Sequence, residues 1–505
     1  MIRHRLFASA LTSALALAAC GDNNPGTDVD AGPDVDAGAE PDAPDAPDAP
    51  APFVAPTPVS LALSAAGPDQ LMAAIPGPAG SFYAAGYVAA DLAGARAVVV
   101  VKLTSAGALD TTFGGGDGIA TTGLVFRGGS GEIELATQAA GAIVVAATVA
   151  HAGVANPDDA ADTDIALTRL DATGAVDATF GTLGVATLDL NDSILDTTPD
   201  PDVVRGRDGV RGIAIGPSDQ IFVHAVQRAE GNIVPQSGAP APRIDTEFAV
   251  LRLTAGGVLD VTYGTGASGK HLLDIYAQAT HSNATPHGLL VNTDGTVIAN
   301  GYASSAATGN TVQPVLYKVN AAGTALVTAF AEGGLFHEEV LAAQTEIYGV
   351  ALHGTTLITG GYGRANTAAT NDYISMKFDA TTGVRDLTFG GAALGAVTVD
   401  PSGMTLADNC RGALALPSGS TVLFGSVGAA GARDAAMAVL TSGGALDTAF
   451  GDGTHTFDFA TGTEDQLWGG AVSGGKVLLV GWRGVGMAAT ATSNDDATVL
   501  LFDAP

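Results

Sequence analysis

Cysteine, tryptophan and positive charge are all scarce in this chain. Two Cys and two Trp occur in 505 residues, and 21 Lys plus Arg face 52 Asp plus Glu. Two thiols cannot build the disulfide framework of a small secreted fold. A formal charge of −31 repels phosphate backbones, which argues against nucleic-acid partners. Charged residues make up 14% against roughly 25% in ordinary domains, which fits neither a coiled coil nor bulk disorder. His-Glu-x-x-His, a Gly-x-Ser-x-Gly elbow and a Lys-Ser or Lys-Thr after a glycine loop are all missing, so no local catalytic motif stands out. What the chain has instead is 68 Gly, 24 Pro and 47% hydrophobic residues, an apolar sequence dense in turns.

Arg3 and Arg5 precede an apolar stretch from Leu6 to Ala18, short of the about 20 residues a membrane helix needs and suited to a signal peptide. It ends Leu17-Ala18-Ala19-Cys20-Gly21, which resembles the lipobox of bacterial lipoproteins. The resemblance implies a signal peptide over residues 1–19 and acylation of Cys20. It also implies a place in the cell envelope, at the outer membrane since Gly21 rather than Asp follows the cysteine. Cys410 is then left without a disulfide partner and reads as a small buried hydrophobe. Residues 20–58 are rich in Pro and Asp, with PDAPDAPDAPAP at 41–52, and read as a stiff, solvated tether. Their acidic pairs lack the turn glycine and closing glutamate of a calcium loop. No cofactor is predicted; calcium is the one candidate considered.

From Val59 onward one unit recurs. Its marker is Gly-x-Leu-Asp-x-x-Phe-Gly, at Gly107–Gly114, Gly174–Gly181, Gly257–Gly264, Gly383–Gly390 and Gly444–Gly451, with a degraded copy ending at Ala331. Hydrophobic residues around each marker alternate with period two, the pattern of strands. In the third unit Gly212–Ile215, a turn at Pro217–Asp219, Ile221–Val223 and Phe248–Leu253 supply three strands, and the stretch after Gly269 a fourth. The last unit stops one strand short, and Val59–Ser64 with Gly67–Leu71 parallels Thr456–Ala460 with Gly462–Leu467. Pairing Val59–Ser64 beside Thr498–Phe502 would seal the array. Residues 59–505 are therefore expected to form an all-β fold, a seven-bladed β-propeller of four-stranded antiparallel blades. An N-terminal strand completes the C-terminal blade. The unit is similar to the delta-60 repeat, a bacterial β-propeller repeat, which implies the same fold and no particular activity. The insertion at 229–246 breaks the symmetry.

Asp110, Asp177, Asp260, Asp386 and Asp447 recur in separate hairpins, too far apart to share one cation, and are expected to accept hydrogen bonds from their own turns. Phe113, Phe180, Tyr263, Phe389 and Phe450, with Phe330 in the degraded copy, are expected to fill the space between blades. The candidate binding residues open the first strand of each unit: Met72, Ile133, Arg211, His287, Tyr348, Arg411 and Trp468, five of them followed by Gly. By analogy with propellers generally, this strand lies innermost. These side chains would then ring a channel mouth and hold an anionic or sugar-like group by charge-assisted hydrogen bonds and ring stacking.

The expected function is thus a lipid-anchored envelope protein whose propeller is a binding or interaction platform. Its partners would be the membrane, through the anchor, and a glycan, a small anionic ligand or an envelope protein. The alternatives are a propeller hydrolase or lactonase with a metal on the channel axis, and a purely structural envelope protein.

Overall fold

The computed structural model describes residues 53–151, 163–190, 208–228, 232–233, 241–242, 246–276, 282–305, 311–391, 394–403, 406–459, 463–484 and 495–504. The expected signal peptide, Cys20, residues 20–52 of the tether and most of the 229–246 insertion lie outside them. A compact unit runs from Pro52 to Pro505.

The described residues form antiparallel strands, with only short 3-10 turns between them. Five sheets have four strands each. An eight-stranded sheet consists of two runs of four, Asp69–Phe126 and Ile133–Leu188, joined by the single pairing of Phe126 with Val149. The first strands of the runs are Asp69–Pro76, Ile133–Thr137, Gly209–Ile215, Ser282–Val291, Gln344–His353, Asp408–Ala415 and Gln466–Ser473. Each touches the next, and the last touches the first. Glycines permit this approach: a Cβ on Gly469 would sit 2.6 Å from the Ala73 Cα, and one on Gly349 would sit 3.1 Å from the Gly412 Cα.

Middle strands read differently from the sequence expectation. Val98–Val101 are all fully buried, whereas the outer strand Ile119–Phe126 alternates buried and exposed residues. A strand covered on both faces gains nothing from alternating, so period two is lost in the middle strands, while the innermost Gln466–Ser473 keeps it in part.

Val59 pairs with Val499 and Ser60 with Thr498, so the N-terminal segment lies beside the last strand. The ladder is shorter than the expected Val59–Ser64. Leu61 still donates its amide to the Ala497 carbonyl at 2.8 Å, but Ala62 turns into the left-handed region at φ 40° and ends it. The packed domain also starts earlier than residue 59. The Phe53 ring lies 5.2 Å from Phe450 and 5.9 Å from Phe502, so the tether ends at a hydrophobic plug.

Candidate functional site

The marker turns are built alike. Asp177 Oδ1 accepts the Thr179 amide at 2.9 Å and its hydroxyl at 2.6 Å, while Oδ2 meets Arg169 Nη2 at 2.6 Å. Asp110 with Thr112 and Lys102, Asp260 with Thr262 and Arg252, and Asp386 with Thr388 and Lys377 repeat the arrangement. Asp447 departs from it: it accepts the Ala449 amide at 3.0 Å and the Ser420 hydroxyl at 2.5 Å. These hydrogen bonds, and the neighbouring cations, hold Asp110 and Asp177 down to about 2.

Phe113, Phe180, Tyr263, Phe330, Phe389 and Phe450 are buried, and five of them lie under a turn glycine of the following unit. Phe180, for instance, fills the place where a Cβ on Gly257 would stand. The next backbone amide donates across the same gap: Gly181 to the Gly256 carbonyl at 2.8 Å, Gly114 to Thr173 at 2.9 Å and Gly264 to Ala322 at 2.8 Å. Arg169 and Arg252 also donate forward, to the carbonyls of Ala255 and Ala321. Turn, ring and cation together form a belt that joins neighbouring units and pairs the marker acids with their turns and cations.

The candidate mouth residues do converge. Met72, Arg211, His287, Tyr348, Arg411 and Trp468 all line one axial cavity of about 380 Å³, within the roughly 300–1,000 Å³ typical of small-molecule sites. All six sit where the pairing of the first strand with the second slips, between Leu71 and Ala73, Val210 and Gly212, Pro286 and Leu289, Ile347 and Gly349, Cys410 and Gly412, and Leu467 and Gly469. A bulge adds one residue to its strand and re-aims that residue's side chain. Ile133 is the exception. Its strand pairs without a slip, which turns Ile133 into the core at zero exposure, and Glu134 lines the cavity instead.

A sequence signal for the bulges exists. Gly86, Gly301, Gly361, Gly425 and Gly481 stand on the second strands opposite them, and a Cβ on any of these would run into a first-strand carbonyl oxygen. The signal covers five of the six bulges: the third unit bulges at Arg211 with Ala225 at that place, and the second unit has Ala147 there, paired with Ile133 without a slip.

Within the mouth the rings and cations stack face to face. Trp482 lies parallel to Trp468 at 5.8 Å. Arg411 Cζ stands 4.6 Å from the Trp468 centroid and 4.7 Å from that of Tyr348, and His287 covers Tyr348 at 3.9 Å. Trp468 and Tyr348 are thus packed against protein groups while remaining partly exposed, and a planar guanidinium so held keeps its N–H donors at its edge.

The two arginines differ. Arg211 Nη2 meets the fully buried Glu132 carboxylate at 2.7 Å, and Nη1 donates to the Ser130 carbonyl at 3.3 Å. Arg411 has neither a hydrogen-bond acceptor nor an ion-pair partner among the described residues, and its buried Nε is unsatisfied. His287, 7% exposed, has an Nε2 without a partner. Burial, aided by Arg211 and Arg411, depresses its pKa well below the ordinary range, so the ring is neutral. Burial raises Glu134 to about 8 against the pull of Arg211, and also raises Glu346. Glu134 and Glu346 thus resist ionising, while Arg411 stays charged.

Cys410 is fully buried, and burial pushes its thiol up to about 12. Asp69, Asp208, Asp408 and Asp465, missed in the sequence, are buried three residues before four of the bulge residues. Asp69 accepts the Ser64 and Ala497 amides, and Asp465 the Phe459 amide. Their signal is the acidic residue that precedes each of those strands. Metal-capable groups occur at His151, Asp164 and Asp189 and at Asp434, Asp458 and Asp465; none of these residues lines the cavity.

No family model and no curated protein matches the chain. Among solved structures it is similar to the polysaccharide lyase Uly1, at 11% identity and TM-score 0.42, over 84% of this chain and 88% of that one. It is also similar to Chaetomium thermophilum Sqt1, at 11% identity and TM-score 0.39, over 88% and 98%. The β-propeller domain of the Trilobed protease from Pyrococcus furiosus is similar at 9% identity and TM-score 0.39, over 87% and 96%.

Proposed function

We propose that the chain is a lipid-anchored envelope protein whose seven-bladed β-propeller, completed by Val59–Ser60 in the last blade, binds a small anionic ligand at its axial mouth. The cyclic contact of the first strands and the Val59–Val499 pairing support the architecture. The observation that carries the function is Arg411: a guanidinium clamped between Trp468 and Tyr348, on a cavity wall, with no acidic partner. Glu346 acts on Arg411 only through space and is itself pushed toward its neutral form by burial, so a cation with no ion pair in a chain of net charge −31 is a local inversion of the field, and its edge matches an oxyanion. Arg211 is neutralised by Glu132 and shapes the wall.

The test is titration of the full chain, carrying Cys20→Ser to keep it free of lipid, with acetate, glucuronate and sulfate. Arg411→Gln is expected to lower affinity at least tenfold. The double change Arg211→Gln with Glu132→Gln, which removes a neutral pair, is expected to leave affinity within threefold. Absence of saturable binding by all three anions overturns the binding role. Incorporation of labelled palmitate into the native chain, lost with Cys20→Ala, tests the anchor.

A further inference from the structure

Resting on that anion-site reading, the rest of the cavity wall narrows the ligand class. Two or three residues beyond the bulge ring, the same first strands carry aliphatic residues that line the cavity, Ile75, Ile213, Leu290, Val350 and Leu414; each packs in part against a neighbouring core and is partly exposed. Along a strand that offset is about 7–10 Å. The cavity thus has a polar ring at one level and an aliphatic sleeve below it.

The polar ring offers donors: the Arg411 edge, His287 Nε2 if its tautomer places the proton there, and the Glu134 carboxyl in its neutral form. Trp482, Arg411 and His287 pack against the mouth rings, which narrows the aromatic surface left for a sugar. The sleeve has no acceptor or donor of its own beyond backbone, and partly exposed Ile, Val and Leu on a concave wall gain by contact with methylene groups.

We infer that the axial cavity takes an aliphatic carboxylate, its head on the edge of Arg411 and its chain along Ile75, Ile213, Leu290, Val350 and Leu414. Each methylene that enters the sleeve is expected to tighten binding roughly fourfold, the factor that corresponds to burial of one CH₂.

Isothermal titration of the full Cys20→Ser chain with acetate, butyrate, hexanoate and octanoate reads this as a slope of affinity against chain length. Octanoate is expected to bind at least tenfold tighter than acetate. Val350→Thr, which keeps the shape and adds a hydroxyl, and Leu414→Asn are expected to weaken octanoate at least threefold and leave acetate unchanged; a thermal melt of each variant establishes that it folds. Arg411→Gln is expected to lower every member by the same factor. If octanoate binds no tighter than acetate, the aliphatic-ligand inference falls while the anion site stands. If none of the four carboxylates binds, and glucuronate and sulfate do not either, both fall.

Discussion

The marker belt and the axial mouth are built from the same repeats and solve opposite problems. In the belt the marker acids and cations pair with one another: Asp177 accepts from Thr179 and Arg169, and Arg169 donates onward to Ala255, although Tyr263 Oη and Arg385 Nε and Nη1 are buried without a partner. At the mouth Arg411 Nε, Arg211 Nε and His287 Nε2 are buried without one. A buried polar group left unpaired costs about 1–3 kcal/mol, and at the mouth that penalty falls on groups lining a cavity. Repetition explains the difference. Most belt turns meet a similar turn in the next unit, so one solution serves five of the six rings, whereas the mouth brings together side chains that vary among the units.

The largest effect expected is on the close approach that both regions depend on. Gly481→Val places a side chain against the Gln466 carbonyl and is expected to cost at least about 4 kcal/mol or prevent folding, read as loss of the cooperative thermal transition. Next comes the belt. Phe180→Ala is expected to cost about 3 kcal/mol, the lower end for a buried Phe because Gly257 and Arg169 can close on the gap, measured by denaturant unfolding. An unchanged midpoint would show that the rings do not join the units.

Acid and alkali separate the two regions by sign. Asp110 and Asp177 are held at about 2, below their unfolded value of about 3.9. Their contribution is present above pH 4 and is lost as pH falls toward 2. Glu134 is raised to about 8, so the folded state holds a proton that the unfolded state releases near pH 4.5. Its effect is to lower stability as pH rises from about 4.5 to 8. Melting Glu134→Gln across pH 2–9 is expected to flatten the slope above pH 4.5 and leave the acid limb intact; an unchanged slope would place the titration elsewhere. The smallest effect is expected at Val258, 59% exposed on a belt turn. Val258→Lys should shift stability by no more than about 0.5 kcal/mol, and a larger loss would mean that the belt's outer face is covered.

Much of the architecture was legible. The marker copies and the parallel between Val59–Leu71 and Thr456–Leu467 placed the N-terminal segment beside Thr498, as observed for Val59 and Ser60. The length of that ladder was not legible, because the left-handed Ala62 carries no glycine or asparagine to announce it. Six of the seven mouth positions were found by counting to the residue before a recurrent glycine or its equivalent. The seventh failed because the count assumes a bulge, and Ile133 lies in the strand that pairs without one; Ala147 in place of the second-strand glycine gives no warning, because Ala225 stands at the same place opposite the bulge of Arg211. The pairing of Arg211 with Glu132 joins two units far apart in sequence, and no spacing rule reaches it.

By itself the sequence determined the β character, the repeating unit, the self-satisfied turn and which residue of each unit approaches the axis, because these follow from local periodicity and from hydrogen bonds spanning a few residues. Only the tertiary structure decided which cation keeps a free edge. Arg211 and Arg411 are the same residue in the same position of the repeat, and their difference is set by what the neighbouring units place beside them, a buried carboxylate in one case and two ring faces in the other.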